Sequence, residues 1–241
     1  MPVVEGAGVE LAYDEAGAGP AVVLVHGMAA DRAIWPPEIA GARTIAYDRR
    51  GYGESGAPEP YARTTVAEQA EDLAALVRAL DAAPAVAAGA DLGALVVLDV
   101  LKRHAGVLRA AVLIDPPVFQ LVREALEPLA AERLMLEEAL RDGGRERAVE
   151  AWLATRGAAA GERLTRARRD AGAFFADYGG QATLPLSRGD LRAIEVPVAV
   201  LDSGGAAAHA RAASDAVARL LPAARRGGTE DVAVALAELL G

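Results

Sequence analysis

Five short, mainly apolar runs without regular polar alternation constrain the fold of this chain most strongly. They cover residues 21–25, 43–47, 85–88, 110–114 and 198–201. Strands of a parallel sheet have this pattern because helices cover both faces of the sheet. Helical stretches separate most of the runs, and strands that alternate with helices indicate a doubly wound parallel sheet. Residues 3–5 and 9–13 are predicted to form a hairpin before the sheet.

A long helical segment interrupts this alternation. From about residue 118 to residue 190 the chain has no strand signal, and an insertion of this kind between two sheet strands is typical of a lid. We therefore predict an α/β fold with a doubly wound, mostly parallel sheet and a helical lid inserted after the sixth strand. Residues 1–117 and 191–241 are expected to form the core, and residues 118–190 the lid. After Pro222 the chain is expected to pass directly into its last helix.

Charge and composition exclude several classes of partner. The chain of 241 residues has a net charge of −9 and no basic cluster with interleaved aromatic residues, so we expect no nucleic acid partner. The basic run from Arg163 to Arg169 is interpreted as a solvated helix face. No apolar stretch is long enough to span a membrane and no secretory signal is visible, so we expect a cytoplasmic protein that binds no membrane.

Metal and cofactor sites are not expected either. The chain has no cysteine, which excludes disulfides and thiolate metal ligands. No motif for a cofactor is present, so a small molecule is the expected partner. The oligomeric state is not indicated by the sequence.

The segment Gly89-Ala90-Asp91-Leu92-Gly93 joins a predicted strand to an apolar helix. A sharp turn from strand to helix needs small residues on both sides of its apex, and glycine stands at both positions. The apex side chain is then displayed at a helix N-terminus, where the field of the helix favours an anion. Asp91 is therefore predicted to be the centre of a site, although an aspartate here can also serve only to cap the helix.

Two further loops follow predicted strands. In His26-Gly27-Met28 the glycine permits a tight turn, which can direct the next amide toward an oxyanion. His26 is interpreted mainly as a residue that stiffens the loop, and it is also a candidate for the wall of the pocket. The charged loop from Tyr47 to Ser55 is interpreted as structural.

The order and spacing of these motifs resemble the α/β-hydrolase superfamily. The segments that carry the resemblance are Val23-Leu24-Val25-His26-Gly27, Tyr47-Asp48-Arg49-Arg50-Gly51-Tyr52-Gly53-Glu54-Ser55, Gly89-Ala90-Asp91-Leu92-Gly93 and Leu113-Ile114-Asp115-Pro116-Pro117. The resemblance covers nearly the whole chain and is specific for the fold. It is much less specific for the reaction, because this fold hosts many chemistries.

Aspartate at the apex resembles the epoxide hydrolase and haloalkane dehalogenase branches, whereas most of the superfamily has serine there. A carboxylate at this position displaces a leaving group at saturated carbon and forms an ester, which water then cleaves at the aspartyl carbonyl. The resemblance implies that Asp91 is the nucleophile and that the amides of Met28 and Leu92 hold the oxyanion. Dehalogenases typically have tryptophan directly after the aspartate, and this chain has Leu92 instead.

The chain departs from the superfamily pattern at the general base and at the acid. The base is normally a histidine before the final helix, and this chain has none from Pro222 onward. The acid normally lies shortly after the fifth apolar run, where Asp202 comes too early. His209 is the candidate for an alternative base and Asp115 for an alternative acid. His104 is expected to be only a cation at a helix C-terminus.

Aromatic residues are expected to line a mostly apolar pocket beneath the lid. The predicted pocket residues are His26, Trp35, Trp152, Phe174 and Tyr178. Three functions on a small, largely apolar ligand remain open. In the first, Asp91 is the nucleophile of an epoxide hydrolase-like enzyme. In the second, Asp91 is a general acid or base in a cyclisation, isomerisation or elimination, which needs no water-activating histidine. In the third, the chain is a binding protein that has lost catalysis.

Overall fold

The computed structural model describes residues 2–229 and 232–241, and its centre is an eight-stranded sheet. The strands are β1 (Val3–Glu5), β2 (Glu10–Ala16), β3 (Ala21–Val25), β4 (Arg43–Tyr47), β5 (Ala85–Ala90), β6 (Leu108–Ile114), β7 (Val198–Asp202) and β8 (Ala224–Gly228). Their order across the sheet is β1-β2-β4-β3-β5-β6-β7-β8. The pairs β1–β2 and β2–β4 are antiparallel and all other neighbours are parallel, which confirms the predicted mostly parallel sheet.

Helices follow most of the strands. They are α1 (Val66–Ala79), α2 (Leu92–Arg103), α3 (Leu126–Ala154), α4 (Gly161–Arg169), α5 (Ala171–Gly180), α6 (Arg188–Arg192), α7 (Ala208–Leu220) and α8 (Val232–Leu240). Thr65 and Glu68 form a capping box that starts α1, as their spacing favours. None of the helices in the part of the chain that the structure describes is both long and apolar enough to cross a membrane.

Two apolar layers cover the sheet. On one face Val23 and Val25 of β3 pack with the apolar stripes of α1 and α2. On the other face Val22 and Leu24 pack in the layer that contains α8. Successive residues of β3 therefore point into different layers, and because both layers are apolar the strand shows no polar alternation.

Helices α3 to α6 lie between β6 and β7 and are called the insertion here. Helix α3 bends at Gly143 and Gly144, and Gly144 has a φ of 73° that is unfavourable for other residues. The predicted boundary at residue 190 falls inside α6. A buried ion pair between Arg49 and Asp177 of α5 joins the insertion to the core.

Strand β8 corrects the prediction that the chain passes directly from Pro222 into its last helix. It forms one edge of the sheet and pairs with β7. Its sequence, Ala-Arg-Arg-Gly-Gly, has no β-branched or aromatic residue that would signal a strand. Arg225 and Arg226 are exposed, and charges of this kind protect an open edge from pairing with other chains.

Candidate functional site

Asp91 lies at the apex of the turn between β5 and α2. Its backbone has φ 50° and ψ −124°, a conformation that costs free energy for a residue with a side chain and is concentrated at functional sites. A Cβ at Gly93 would lie 2.3 Å from the carbonyl oxygen of Val25, and a Cβ at Gly89 would lie 2.5 Å from that of Gly93. The two glycines therefore allow the helix to begin directly against the strands, with Asp91 displayed between them.

The Asp91 carboxylate faces the loop after β3 and does not cap its own helix. It forms no side-chain capping bond to α2. The amide of Met28 donates a hydrogen bond to Oδ2 of Asp91 at 3.1 Å, and the amide of Leu92 also favours the ionised carboxylate. The two amides that the resemblance assigns to an oxyanion thus converge on Asp91.

Opposing effects act on the ionisation of Asp91. Burial is the largest of them and raises the pKa of the carboxyl above its ordinary value of 3.8. The charge of Arg156, the two backbone amides and the charge of Arg49 act in the opposite direction, and burial prevails.

A second cation of the insertion acts on the same carboxylate. Burial lowers the pKa of the Arg163 guanidinium, Asp91 raises it, and Arg156 lowers it. Arg156 follows the end of α3, and Arg163 belongs to the first turn of α4. Two arginines that are distant from Asp91 in sequence therefore contribute positive charge to its surroundings.

A buried polar network lies behind the loop that follows β3. Arg49 is 1% exposed and donates to the carbonyl oxygens of His26 and Gly27 at 2.8 Å each. Its guanidinium also donates to Oδ2 of Asp177 at 2.8 Å, and the Tyr52 hydroxyl donates to the same oxygen at 2.7 Å. Since Asp177 belongs to α5, this network connects the insertion to the loop that presents the Met28 amide.

His26 belongs to this network. Its Nε2 accepts a hydrogen bond from the Arg49 amide at 2.9 Å, so Nδ1 carries the proton and donates to the carbonyl oxygen of Gly27 at 2.9 Å. Burial and then the charge of Arg49 lower the pKa of His26 well below 6.5, and the ring is neutral. His26 is 0% exposed with both nitrogens occupied, so it stiffens the loop and does not form part of the pocket wall.

Three of the predicted pocket residues form an aromatic cluster inside the insertion. The ring of the buried Phe174 has its centroid 5.2 Å from that of Trp152 and 6.0 Å from that of Tyr178. The guanidinium of Arg156 lies 3.6 Å from the centre of the Trp152 ring, so the cluster supports one of the two cations. Burial and then Glu132 raise the pKa of Tyr178 to about 12.

Trp35 and Asp115 lie apart from that cluster. Trp35 packs in the apolar layer that contains α8. Asp115 has a φ of 46°, and its carboxylate accepts a hydrogen bond from the amide of Ser203 at 3.1 Å. Asp115 thus joins the ends of β6 and β7.

The candidate base and the remaining histidine are also engaged elsewhere. The ring of His209, near the start of α7, has its centroid 5.4 Å from that of Phe119. Nε2 of His104, at the C-terminus of α2, lies 3.1 Å from a carboxylate oxygen of Glu71. Across residues 2–229 and 232–241, no histidine forms a hydrogen bond to Asp91.

Sequence reasoning missed Arg156 and Arg163, and it treated the second of these as part of a solvated face. Within the same run, Arg166 pairs with Asp31 of the core at 3.1 Å. Residues separated by three positions share one side of a helix. Arg163 therefore lies on the same side of α4 as Arg166, but the sequence alone does not determine that this side contacts the core.

Comparisons with known proteins agree with this architecture. A family model described as alpha/beta hydrolase fold matches residues 20–156. An epoxide hydrolase from Caballeronia sordidicola is 40% identical over 92 residues, which is 36% of this chain and 28% of that protein. The bifunctional epoxide hydrolase 2 of Sus scrofa is 32% identical over 115 residues, 46% of this chain and 21% of that protein. The chain thus matches only about a quarter of the length of these curated relatives.

The fold is also similar to that of solved structures. A thermophilic esterase from Thermogutta terrifontis superposes with a TM-score of 0.79 at 24% identity, and the match covers 100% of this chain and 98% of that one. At this level of identity the likeness concerns the fold.

Proposed function

The chain belongs to the alpha/beta hydrolase fold family, and from that premise we propose that Asp91 is a nucleophile that attacks a saturated carbon of a small molecule. The observation that carries the proposal is the hydrogen bond of 3.1 Å from the Met28 amide to Oδ2 of Asp91. This amide orients the carboxylate, and it is also in place for the oxyanion that forms when an aspartyl ester is cleaved. The two epoxide hydrolases among the relatives support the same chemistry.

The first half of the proposed reaction forms an ester on Asp91. Oδ1 bonds to a ring carbon of an epoxide, the ring C–O bond breaks, and its electron pair moves to the ring oxygen, which takes a proton from water. The charges of Arg156 and Arg163 favour negative charge on that oxygen while the bond breaks.

For the second half, cleavage of the ester by water, no histidine in the part of the chain that the structure describes is bonded to Asp91 as a base would be. The chain has three histidines. The ring nitrogens of His26 are both bonded, His104 pairs with Glu71, and His209 packs against Phe119. Loss of a general base typically lowers a rate by about 10²–10⁴-fold. We therefore expect the ester to form faster than it is cleaved, so that it accumulates.

Mass spectrometry of the intact protein tests this proposal. Incubation with oxirane-2-carboxamide, a small uncharged epoxide, is expected to add one probe per chain, on the peptide that contains Asp91. The Asp91→Asn variant should remain unlabelled, and Asp115→Asn serves as the matched control that should label like the wild type. Absence of the adduct, or equal labelling of Asp91→Asn, would contradict the proposal.

Proton transfer by Asp91 without a covalent bond is a second candidate. It is favoured by the raised pKa of Asp91, because a carboxyl group is a better proton donor and acceptor when its pKa lies closer to the working pH. Such an enzyme would catalyse a cyclisation, an isomerisation or an elimination. In ¹⁸O-labelled water the product of such an enzyme gains no labelled oxygen. Cleavage of an ester on Asp91 instead transfers an oxygen atom of water to the Asp91 carboxylate. A protein that only binds its ligand would show no turnover and an affinity that Asp91→Ala leaves unchanged.

A further inference from the structure

The amide of Met28 and the carbonyl oxygen of Gly27 belong to one peptide group. This group is planar and trans, so its N–H and its C=O point in opposite directions. The N–H donates to Oδ2 of Asp91 at 3.1 Å. A group that holds the Gly27 carbonyl oxygen on the far side of the peptide therefore also fixes the direction of the N–H toward Asp91.

Arg49 holds that carbonyl oxygen. One edge of its buried guanidinium, formed by Nε and Nη2, donates to the carbonyl oxygens of His26 and Gly27 at 2.8 Å each. Nδ1 of His26 lies 2.9 Å from the same Gly27 oxygen and donates to it. Because one rigid, charged group binds two successive carbonyl oxygens, the peptide between Gly27 and Met28 cannot rotate without breaking a charged hydrogen bond.

The loop that follows β3 needs this support. Ala29, directly after Met28, has a φ of 50°, which costs free energy for a residue with a side chain. On the other side of the peptide, a Cβ at Gly27 would lie 2.8 Å from the Cβ of Asp91. Since the backbone is strained at one end and packed against Asp91 at the other, a small rotation of the peptide would turn its N–H away from the carboxylate.

The insertion and the core together hold Arg49 in this orientation. Asp177 of α5 accepts from Nη2 of Arg49 at 2.8 Å, and from the Tyr52 hydroxyl and the side-chain amide of Gln69 at 2.7 Å each. Gln69, which belongs to α1, also accepts from Nη1 of Arg49. The other edge of the guanidinium is therefore left to bind the two carbonyl oxygens.

We propose that Arg49 is a positioning residue that acts on the reaction through the peptide between Gly27 and Met28. It directs the Met28 N–H at Oδ2 of Asp91, and its charge on the carbonyl oxygen polarises the peptide, so that the N–H becomes a stronger donor. The charged loop from Tyr47 to Ser55, which the sequence indicates as structural, thereby takes part in the reaction. This part rests on the proposed function, whereas the direction of the N–H has a readout of its own.

NMR with ¹⁵N-labelled methionine tests the direction of the N–H. The chain has three methionines, so the spectrum is simple and Met28→Leu identifies the Met28 signal. Because this amide is bonded to Asp91, its ¹H chemical shift should change with pH as the carboxyl ionises, and Asp91→Asn should abolish that change. Arg49→Lys keeps the charge but replaces the planar edge by a single nitrogen. We expect this variant to lose most of the pH-dependent change of the Met28 signal.

Arg50→Lys is the matched control. Arg50 is also buried and pairs with an aspartate, Asp72, at 2.6 Å, and its further hydrogen bonds go to carbonyl oxygens outside the loop that follows β3. Both substitutions disturb a buried ion pair, but Arg50→Lys should leave the titration of the Met28 signal as in the wild type. A wild-type Met28 signal that does not titrate, or equal titrations in Arg49→Lys and Arg50→Lys, would overturn the positioning role.

His26→Gln provides the same test if Arg49→Lys does not fold. The amide oxygen of glutamine can replace Nε2, which accepts from the Arg49 amide, but no nitrogen replaces Nδ1, so the Gly27 carbonyl oxygen loses one donor. We expect the pH-dependent change of the Met28 signal to decrease. An unchanged titration would show that donors to the Gly27 carbonyl do not direct the N–H, which contradicts the proposal.

The two steps of the proposed reaction should respond differently to Arg49→Lys. During attack the negative charge on Asp91 decreases, so the Met28 hydrogen bond is weaker in the transition state and its loss does not slow labelling by oxirane-2-carboxamide. During ester cleavage negative charge develops on Oδ2. Because loss of one oxyanion donor typically costs about 10²–10³-fold, we expect the ester to live about tenfold longer or more in Arg49→Lys, whereas Arg50→Lys should leave its lifetime unchanged.

The two measurements separate this inference from the proposed function. If even the wild type is not labelled, the proposed nucleophile is wrong, and the titration of the Met28 signal decides the positioning of the peptide alone. If the ester forms and decays equally fast in Arg49→Lys and Arg50→Lys, the role of Arg49 in the reaction is overturned and Asp91 remains the nucleophile.

Discussion

The carboxyl ends of β3 and β5 form one region of the sheet edge, and those of β6, β7 and β8 form a second. The two regions differ in what their polar groups contact. In the first region the backbone is strained at Asp91, with a φ of 50°, and the Met28 amide is directed at the carboxylate. In the second region the charged side chains form structural contacts: Asp115 accepts from the Ser203 amide, and Asp202 pairs with Arg226. The comparison teaches that strand ends at one edge of a sheet can differ: in one region a backbone amide is directed at a carboxylate, and in the other the carboxylates hold the structure together.

The two regions also differ in how their charges are stabilised. Around the first region the Arg49–Asp177 pair has side chains that are 1% and 0% exposed, and further hydrogen bonds satisfy both partners. In the second region the side chains of Arg226 and Asp202 are 29% and 15% exposed. Water compensates for a broken pair near the surface but cannot do so in the interior.

The largest expected effect is the loss of stability in Asp177→Ala. This change leaves the Arg49 charge buried without its partner, and we expect the free energy of unfolding to fall by about 3–5 kcal/mol. The matched change in the second region, Asp202→Ala, should cost about 1 kcal/mol or less. Chemical denaturation measures both. Equal small losses would show that the two regions do not differ in this respect.

The pH dependence of labelling of Asp91 tests the first region more finely. In the proposed reaction only the ionised carboxylate attacks, and burial raises its pKa above 3.8. The labelling rate with oxirane-2-carboxamide should therefore increase with pH through that raised pKa, and below it fall about tenfold per pH unit.

Arg156→Gln sharpens this test. The positive charge of Arg156 favours the ionised form of Asp91, so its removal should shift the midpoint of the pH profile further upward. A midpoint at or below 3.8 in the wild type, or a downward shift in the variant, would contradict the electrostatics described for this region.

Much of the first region could be predicted from the sequence because its signals are local. Gly89 and Gly93 bracket Asp91 within one short segment, and the apolar run of β3 identifies a strand buried on both faces. The Arg49–Asp177 pair could not be predicted, since its members lie 128 positions apart and nothing in the sequence around Asp177 links it to the segment that contains Arg49.

The second region was harder to predict for a different physical reason. An edge strand is stabilised by pairing on one side and needs little apolar burial, so β8 with its Arg225 and Arg226 has no strand signal. The ion pair of Arg166 with Asp31 depends on how α4 packs on the core, and the sequence of α4 does not determine that packing.

The smallest expected effect is that of His209→Gln on the lifetime of the ester on Asp91. His209 is the candidate base of the second region, yet its ring packs against Phe119. If it does not activate water, the decay of the labelled protein after removal of excess probe should change by less than about twofold, whereas loss of a working base slows such a step by about 10²–10⁴-fold. The decay is followed by mass spectrometry at constant pH. A much longer-lived ester in His209→Gln would show that His209 still activates water. The two regions would then differ in how far His209 must move to reach the ester, because the second region would have kept its base.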